Sequence, residues 1–407
     1  MTDLQNAPAP DWATEFDHTS DAYAAVATDV WDELRGTCPV AHSEAHGGVW
    51  LPTRHEDIAA IARDTENFSS EGVIVNVFKP EGLAPMGYAP PITSDPPFHA
   101  DARRLLLPAF GPKTIASLED GAREMCRELL DELLVPGVDV VDAATAYAQH
   151  IPVRVIAAML GLPKEDGDRF RLFIHRIIEK PGEHAGTLAP EDTLLYYLTN
   201  HIQRRRNEPA QDDLIGFLLA TEVDGEPLSD QQLFGTIALL IIAGIDTTWS
   251  AIGASLWHLA QSPADRERLA NDPAVLPLAI EEFLRFYAPV TMARIAATDT
   301  EIGGCPVAKR DWVLLPFPAA NRDPEVFDQA DEFVIDREKN RHVAFGLGIH
   351  RCIGSNLARL ELTVAVDEWM KRIPDFELAA PETVRWSTGQ VRGPRELPIR
   401  ILRSVDA

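Results

Sequence analysis

The segment FGLGIHRCIG, Phe345 to Gly354, sets Cys352 among Gly346, Gly348 and Gly354, two residues after His350. A thiolate is both a nucleophile and a metal ligand, and three ordinary readings compete for such a frame. A dinucleotide loop needs G-x-G-x-x-G between a strand and a helix; Gly346 and Gly348 fit, but Arg351 occupies the third glycine position, so that reading fails. A zinc site or redox pair needs a neighbouring cysteine. The others, Cys38, Cys126 and Cys305, are far apart and form no C-x-x-C. A buried spectator thiol is the commonest fate of a lone cysteine and stays open on this motif alone.

The surroundings favour ligation. Cys352 lies directly before a helical pattern, whose amide donors and positive end stabilise a thiolate. Glycines let the backbone approach something flat and large, and His350 and Arg351 bring donors or positive charge. A thiolate held open beneath a planar partner is what haem iron ligation needs. The pattern F-G-x-G-x-H-x-C-x-G resembles the haem-ligand loop of the cytochrome P450 superfamily. That resemblance makes Cys352 the axial metal ligand of haem b, with Phe345 packed near the sulfur and Gly346 and Gly354 in the frame.

Further motifs follow in the order the resemblance requires. "AGIDTT" places Asp246 and Thr247 in an apolar helix, where a carboxylate is costly unless paired or functional. The pair resembles the family's acid–alcohol pair: Thr247 would hydrogen-bond dioxygen, Asp246 would relay protons, and Ala243 and Gly244 would loosen the helix to leave room. "EEFLR" sets Glu282 and Arg285 on one helix face; it is similar to the family's E-x-x-R, with Arg337 from "FVIDRE" as the third, structural member. "DPPFHADARR" offers His99 and Arg103, and "VTMARIA" offers Arg294. With His350, these are the basic residues that in the family reach the haem propionates, which need cations or strong donors.

Elements must hold these groups in place. From about Asp101 to Leu269 helical periodicity dominates, with breaks at Pro136-Gly137, Gly161-Leu162-Pro163, Pro181-Gly182 and Asp224-Gly225. Ser229 and Gln232 stand at capping-box spacing before roughly thirty residues that are apolar nearly all round, the mark of a buried helix. Another helix begins at Asp272-Pro273 and ends before Pro289. "EIGGCPVAKRDWVLLPF" reads as two short strands around a turn, where Arg310 stands in a position in which the family commonly has glycine. A last long helix is expected from Ser355 to Arg372. The stretch from Ser69 to Ser94 is irregular and apolar, with Phe78 and Met86, and reads as a binding loop. The fold class expected is mainly α-helical with small β-sheets, the cytochrome P450 fold around a long buried central helix. Residues 1–19 read as an N-terminal extension and 20–407 as a single domain, the span over which the resemblance holds.

The totals set limits. The chain is 45% hydrophobic and 25% charged, with a formal charge of −26, which argues against nucleic-acid partners. The start carries no export signal, and the strongly apolar run Ile237 to Ile245 is about half of a ~20-residue membrane span. A cytoplasmic protein with no membrane partner is expected.

The resemblance implies a monooxygenase that puts one atom of O2 into an organic substrate, with NAD(P)H electrons arriving indirectly through a ferredoxin or flavin-containing reductase. Several phrases, "VRGPRELP" among them, look similar to haem domains fused to such a reductase, so a separate or a fused donor fits. Walls from Val73 to Ile92, Ile241 to Thr247, Val290 to Ala293 and near Thr388 suggest a small or medium hydrophobic substrate, aromatic by analogy with the fused relatives, undergoing hydroxylation or oxidative O-dealkylation. Two rivals are a peroxide-driven peroxygenase, which generally lacks the acid–alcohol pair, and a non-catalytic haem-thiolate binding or sensor protein.

Overall fold

The helix that opens at Ser229 organises the molecule. The computed structural model describes residues 10–75, 88–179, 187–223 and 225–405. In it, Asp230–Gln261 is one unbroken helix of 32 residues. Its capping box is complete: the Gln232 N–H donates to Ser229 Oγ at 3.3 Å and the Ser229 N–H to Gln232 Oε1 at 3.0 Å. Because its middle is apolar on nearly every face, it is stable only when surrounded. The helices His150–Leu160, Leu194–Arg206 and Ser355–Arg372 pack against it. Among the described residues it is the one helix long and apolar enough to cross a membrane, and most of that window is buried inside the fold.

A second core lies under a five-stranded sheet. Val40–Ser43 pairs with Val49–Pro52, which runs parallel to Trp312–Pro316; Thr291–Ala296 and the edge strand Phe68–Ser69 complete the sheet. Trp312–Pro316 is buried throughout, which is why it reads as a continuous apolar run instead of an alternating one. Phe16, inside the stretch read as an extension, is fully buried here.

Differences from the sequence reading have local causes. The region of helical periodicity also contains the strand Val140–Asp142, whose partner Pro398–Arg403 is far away in sequence. The expected two strands are three: Thr300–Ile302 and Cys305–Val307 form a hairpin through Gly303 and Gly304, and Trp312–Pro316 joins the main sheet. Arg310 adopts φ 78°, a left-handed conformation that explains why glycine suits its position. Pro273–Val275 forms a 3-10 turn before the helix Leu276–Phe286. Residues 76–87, with Phe78 and Met86, and the breaks at Pro181-Gly182 and Asp224 lie outside the described residues.

Glu282, Arg285 and Arg337 meet as expected. Glu282 and Arg285 are both fully buried, with Arg285 Nε 2.8 Å from Glu282 Oε2 and Nη2 2.7 Å from Oε1. Arg337 Nε approaches the same carboxylate at 3.0 Å. Arg285 also donates to the carbonyls of Asn321, Ala330 and Glu332. Asn321 Oδ1 in turn accepts the Val343 N–H at 2.7 Å, two residues before the cysteine loop. Neutralising Glu282 by Glu282→Gln is expected to cost about 3–5 kcal/mol, because two guanidinium groups lose their counter-charge. Urea unfolding followed by circular dichroism checks this; an unchanged midpoint would show that the cluster is dispensable.

Candidate active site

Cys352 sits at the end of a tight loop closed by its own N–H, which donates to the Phe345 carbonyl at 2.8 Å. Gly346 and Gly348 have φ of 67° and 68°. A Cβ on Gly348 would lie 2.5 Å from the Ala62 carbonyl oxygen, so both conformation and space demand glycine there. The Phe345 ring is covered by Arg359, whose Cζ is 4.5 Å from the ring centroid. Arg359 is held by Glu281 at 2.6 and 2.8 Å, and Glu281 also meets His342 at 3.0 Å. The glutamate beside Glu282 therefore positions the loop directly, a role that the doublet "EE" alone did not reveal.

The Cys352 residue is exposed, yet protein packed around it desolvates the thiol and pushes its pKa up. The two facts are compatible for a thiol that faces a space enclosed by the fold. Against that desolvation act the Gly354 N–H and the positive charges of Arg103, Arg351 and Arg359.

Around the same loop the structure gathers His99, Arg103, Arg294 and His350. The His99 and His350 rings lie 4.5 Å apart, edge to face. Arg103 donates to the Arg351 carbonyl at 2.6 Å, and Arg294, 5% exposed, to its neighbouring Ala293 carbonyl at 2.7 Å. Burial lowers the Arg294 pKa to about 10. Burial first, then Arg294, His99 and Arg103, push His350 down to about 2. His350 Nε2 meets Ser70 Oγ at 2.8 Å, and buried His99 Nε2 has no partner. Asp95 is the one carboxylate felt by both His99 and Arg294, and it is occupied by Ser69 and Ser70. Burying so many donors with so little negative charge is unfavourable by itself. The set fits a large ligand that brings two carboxylates beside a metal for Cys352, which describes haem.

On the central helix, Ala243 is exposed and Gly244 and Thr247 are half-buried, although their neighbours Ile242, Ile245 and Asp246 are buried. Ala243 and Thr247, four residues apart, share a face, and Thr247 Oγ1 donates to the Ala243 carbonyl at 2.9 Å. The helix is continuous here, so the space comes from small side chains and not from a loosened turn.

Asp246 is buried. Its Oδ1 accepts from Arg395 Nη2 at 2.5 Å, while Oδ2 has no partner. Burial raises its pKa to about 6, against the pull of Arg395. Arg395 also pairs with Glu179, which meets His175 at 2.8 Å, and it lies 4.2 Å over the Trp249 ring. Gly393 makes this crossing possible, since a Cβ there would lie 2.3 Å from Ser250 Cβ. A second buried acid, Glu361 of Ser355–Arg372, is reached by Thr248, and its Oε2 is unpartnered. Sequence reading missed Arg395, Glu179 and Glu361. "VRGPRELP" was a signal for the first, but its partner is distant in sequence.

Fold and site together define a helical protein of the haem-thiolate class. A family model described as Cytochrome P450 matches residues 168–385. Mycinamicin IV hydroxylase/epoxidase of Micromonospora griseorubida is 33% identical over 93% of this chain and 97% of that protein. Nocardicin C N-oxygenase of Nocardia uniformis is 35% identical over 86% and 89%. The structure of cytochrome P450 CYP109Q5 from Chondromyces apiculatus superposes with a TM-score of 0.84 at 32% identity, covering 97% of this chain and 100% of that one. That of CYP109E1 from Bacillus megaterium, in complex with testosterone, gives 0.83 at 30% identity, covering 93% and 98%. The chain belongs to the cytochrome P450 family. It is a monooxygenase, of a family that uses haem iron, O2 and electrons supplied by redox partners.

Burial raises the Glu361 pKa from 4.5 to about 8. The folded state thus holds this proton more tightly than the unfolded chain. Stability from this group is fullest below pH 4.5 and falls as pH rises towards about 8, by at most about 1.4 kcal/mol per unit. Glu361→Gln is expected to flatten that slope. Parallel melting-temperature profiles of variant and parent between pH 5 and 8 would contradict it.

Proposed function

We propose that the enzyme inserts one atom of O2 into a small or medium hydrophobic substrate, aromatic in character, by hydroxylation or oxidative O-dealkylation. Electrons from NAD(P)H reach it in the cytoplasm through a ferredoxin, a flavin-containing reductase, or both. The observation that carries the oxygenase reading is the acid–alcohol pair: Thr247 opening beside Ala243, next to an Asp246 with one clamped and one free oxygen.

Cys352 would hold haem b, which would supply the redox centre for the reduction of O2. The chain's own residues do the rest. Arg103, Arg294, His99 and His350 would hold the two propionates. Gly354 N–H and the neighbouring arginines favour the thiolate of Cys352, and Phe345 shields it under Arg359. Ala243 and Gly244 leave room on the helix face, and Thr247 holds a hydroxyl proton beside it. Asp246, raised to about 6, can take and release a proton near neutral pH. Arg395 fixes its orientation. The presence of this pair weighs against a peroxide-driven peroxygenase or a sensor without turnover.

The relatives include a mycinamicin IV hydroxylase/epoxidase, a nocardicin C N-oxygenase and a P450 in complex with testosterone. A steroid is therefore the comparison substrate for an aromatic ether in spin-state titrations. A larger high-spin conversion with the ether is expected; conversion by testosterone alone would move the substrate class.

Cys352→Ser should abolish the strongly red-shifted Soret band of the reduced carbonyl complex, and an unchanged band would remove Cys352 as the ligand. Thr247→Ala should keep that band but send most reducing equivalents to hydrogen peroxide, measured as product per NAD(P)H consumed. Asp246→Asn should slow turnover roughly 10²-fold, the low end for losing a positioned proton donor, with an enlarged solvent isotope effect. Full coupling in the threonine variant, or parental turnover in the asparagine one, would overturn these roles.

A further inference from the structure

A cavity of about 270 Å³ shares no residue with the group around Cys352, and it is lined by Thr291 and Thr388, which the sequence reading places in the wall of the substrate pocket. It lies between the helix Asp21–Thr37, the end of the central helix and the turn near Thr388. Trp31, Trp257, Phe286, Tyr287 and Trp386 supply rings to its wall. Three of these form a continuous cluster, with Trp257 5.2 Å from Trp386 and 5.8 Å from Tyr287, both edge to face.

Two arginines also line it. Arg322 stacks with Cζ 3.4 Å from the Phe286 centroid, and Arg392 with Cζ 4.6 Å from that of Trp386. Each makes a backbone contact, Arg322 Nη2 to the Phe286 carbonyl and Arg392 Nη2 to the Ala24 carbonyl, both at 3.1 Å. Arg392 Nε is buried with no partner. Among the described residues no carboxylate pairs with either arginine; Asp32, one of two acids felt by Arg322, is engaged by Arg35 at 2.5 Å. Burial lowers the pKa of both guanidiniums, that of Arg322 to about 10. Arg322 feels Asp331 and Asp32 without pairing with either, so two desolvated cations with no ion-pair partner, among aromatic rings, are complementary to a planar anion.

The strand Thr291–Ala296 separates this cavity from the haem cradle. Arg294 faces the cradle, so Thr291, three residues earlier, points to the opposite side, and it is Thr291 that lines the cavity. The turn near Thr388 is fixed to this strand, since the Arg392 N–H donates to the Pro289 carbonyl at 2.8 Å and the Thr291 N–H to the Gln390 carbonyl at 2.9 Å.

We propose that this cavity is a second small-molecule site for an aromatic carboxylate of one or two rings, with the ring among Trp257, Tyr287 and Trp386 and the carboxylate on Arg392. Isothermal titration calorimetry of 3-phenylpropionate and indole-3-acetate tests it, using the haem-loaded protein with excess 4-phenylimidazole to block the thiolate side. One-to-one binding of at least one acid is expected, weakened at least about tenfold in its primary amide and in Arg392→Gln, since each removes one half of a charge-assisted contact. The haem spectrum of Arg392→Gln reports whether that variant is folded; if it is not, the acid-against-amide comparison on the parent protein decides. No binding of either acid, equal affinity for the amide, or binding seen only without the imidazole ligand would each overturn the site.

Discussion

Glu282 is a single carboxylate on which a large part of the molecule depends. It sits with no exposed surface between Arg285 and Arg337. It also accepts the Val334 N–H at 2.8 Å and Asn340 Nδ2 at 3.1 Å. The stretch from Asn321 to Asn340 has little regular secondary structure, so its backbone groups need partners from elsewhere. Arg285 and Arg337 supply them by donating to five carbonyls: those of Asn321, Asp328, Gln329, Ala330 and Glu332. Order then passes from Asn321 to Val343 and into the cysteine loop. A buried ion pair is weak evidence for stability in itself; here its consequence is geometric, because an irregular meander becomes a rigid support.

The loop's surroundings are electrostatically incomplete. The chain as a whole is strongly acidic, at −26, yet His99, Arg103, Arg294 and His350 converge where Asp95, the carboxylate felt by both His99 and Arg294, is already occupied by Ser69 and Ser70. Such a cluster opposes folding until anions enter it, so cofactor binding and stability are linked: a ligand that binds only the folded state stabilises it. The low pKa of His350 comes first from burial and then from Arg294, His99 and Arg103 beside it. The acidity of the whole and the positive charge of the cradle are compatible because desolvated charges answer to their immediate neighbours.

What the sequence disclosed and what it withheld follow from range. The loop Phe345 to Gly354, the capping box at Ser229 and the helix Ser355–Arg372 are local, and their residues announce them. Glu282 with Arg285 was visible from spacing, and Arg337 from resemblance. Val140–Asp142 was hidden because a strand of three residues is defined by its partner, Pro398–Arg403. Arg395 was hidden for the same reason: nothing near it in the chain indicates that Gly393 lets its segment cross the central helix at Ser250. Nothing in the local sequence singles out Arg322 and Arg392, and only the tertiary structure shows them stacked on rings with no ion-pair partner among the described residues.

The central helix shows how the fold accommodates function at a cost. On consecutive residues, Thr247 opens towards the half-exposed face shared with Ala243, while Thr248 is buried and reaches Glu361. Asp246 and Glu361, both buried, therefore flank one helical turn, each with an unpartnered oxygen. Two incompletely satisfied carboxyls weaken the centre of the core. The apolar length of the helix, packed on three others, supplies the stability that offsets them. An alanine or leucine in either place would pack at less cost, so stability alone does not explain these acids. Burial raises both pKa values, to about 6 and about 8, so each acid holds its proton more tightly than it would in water.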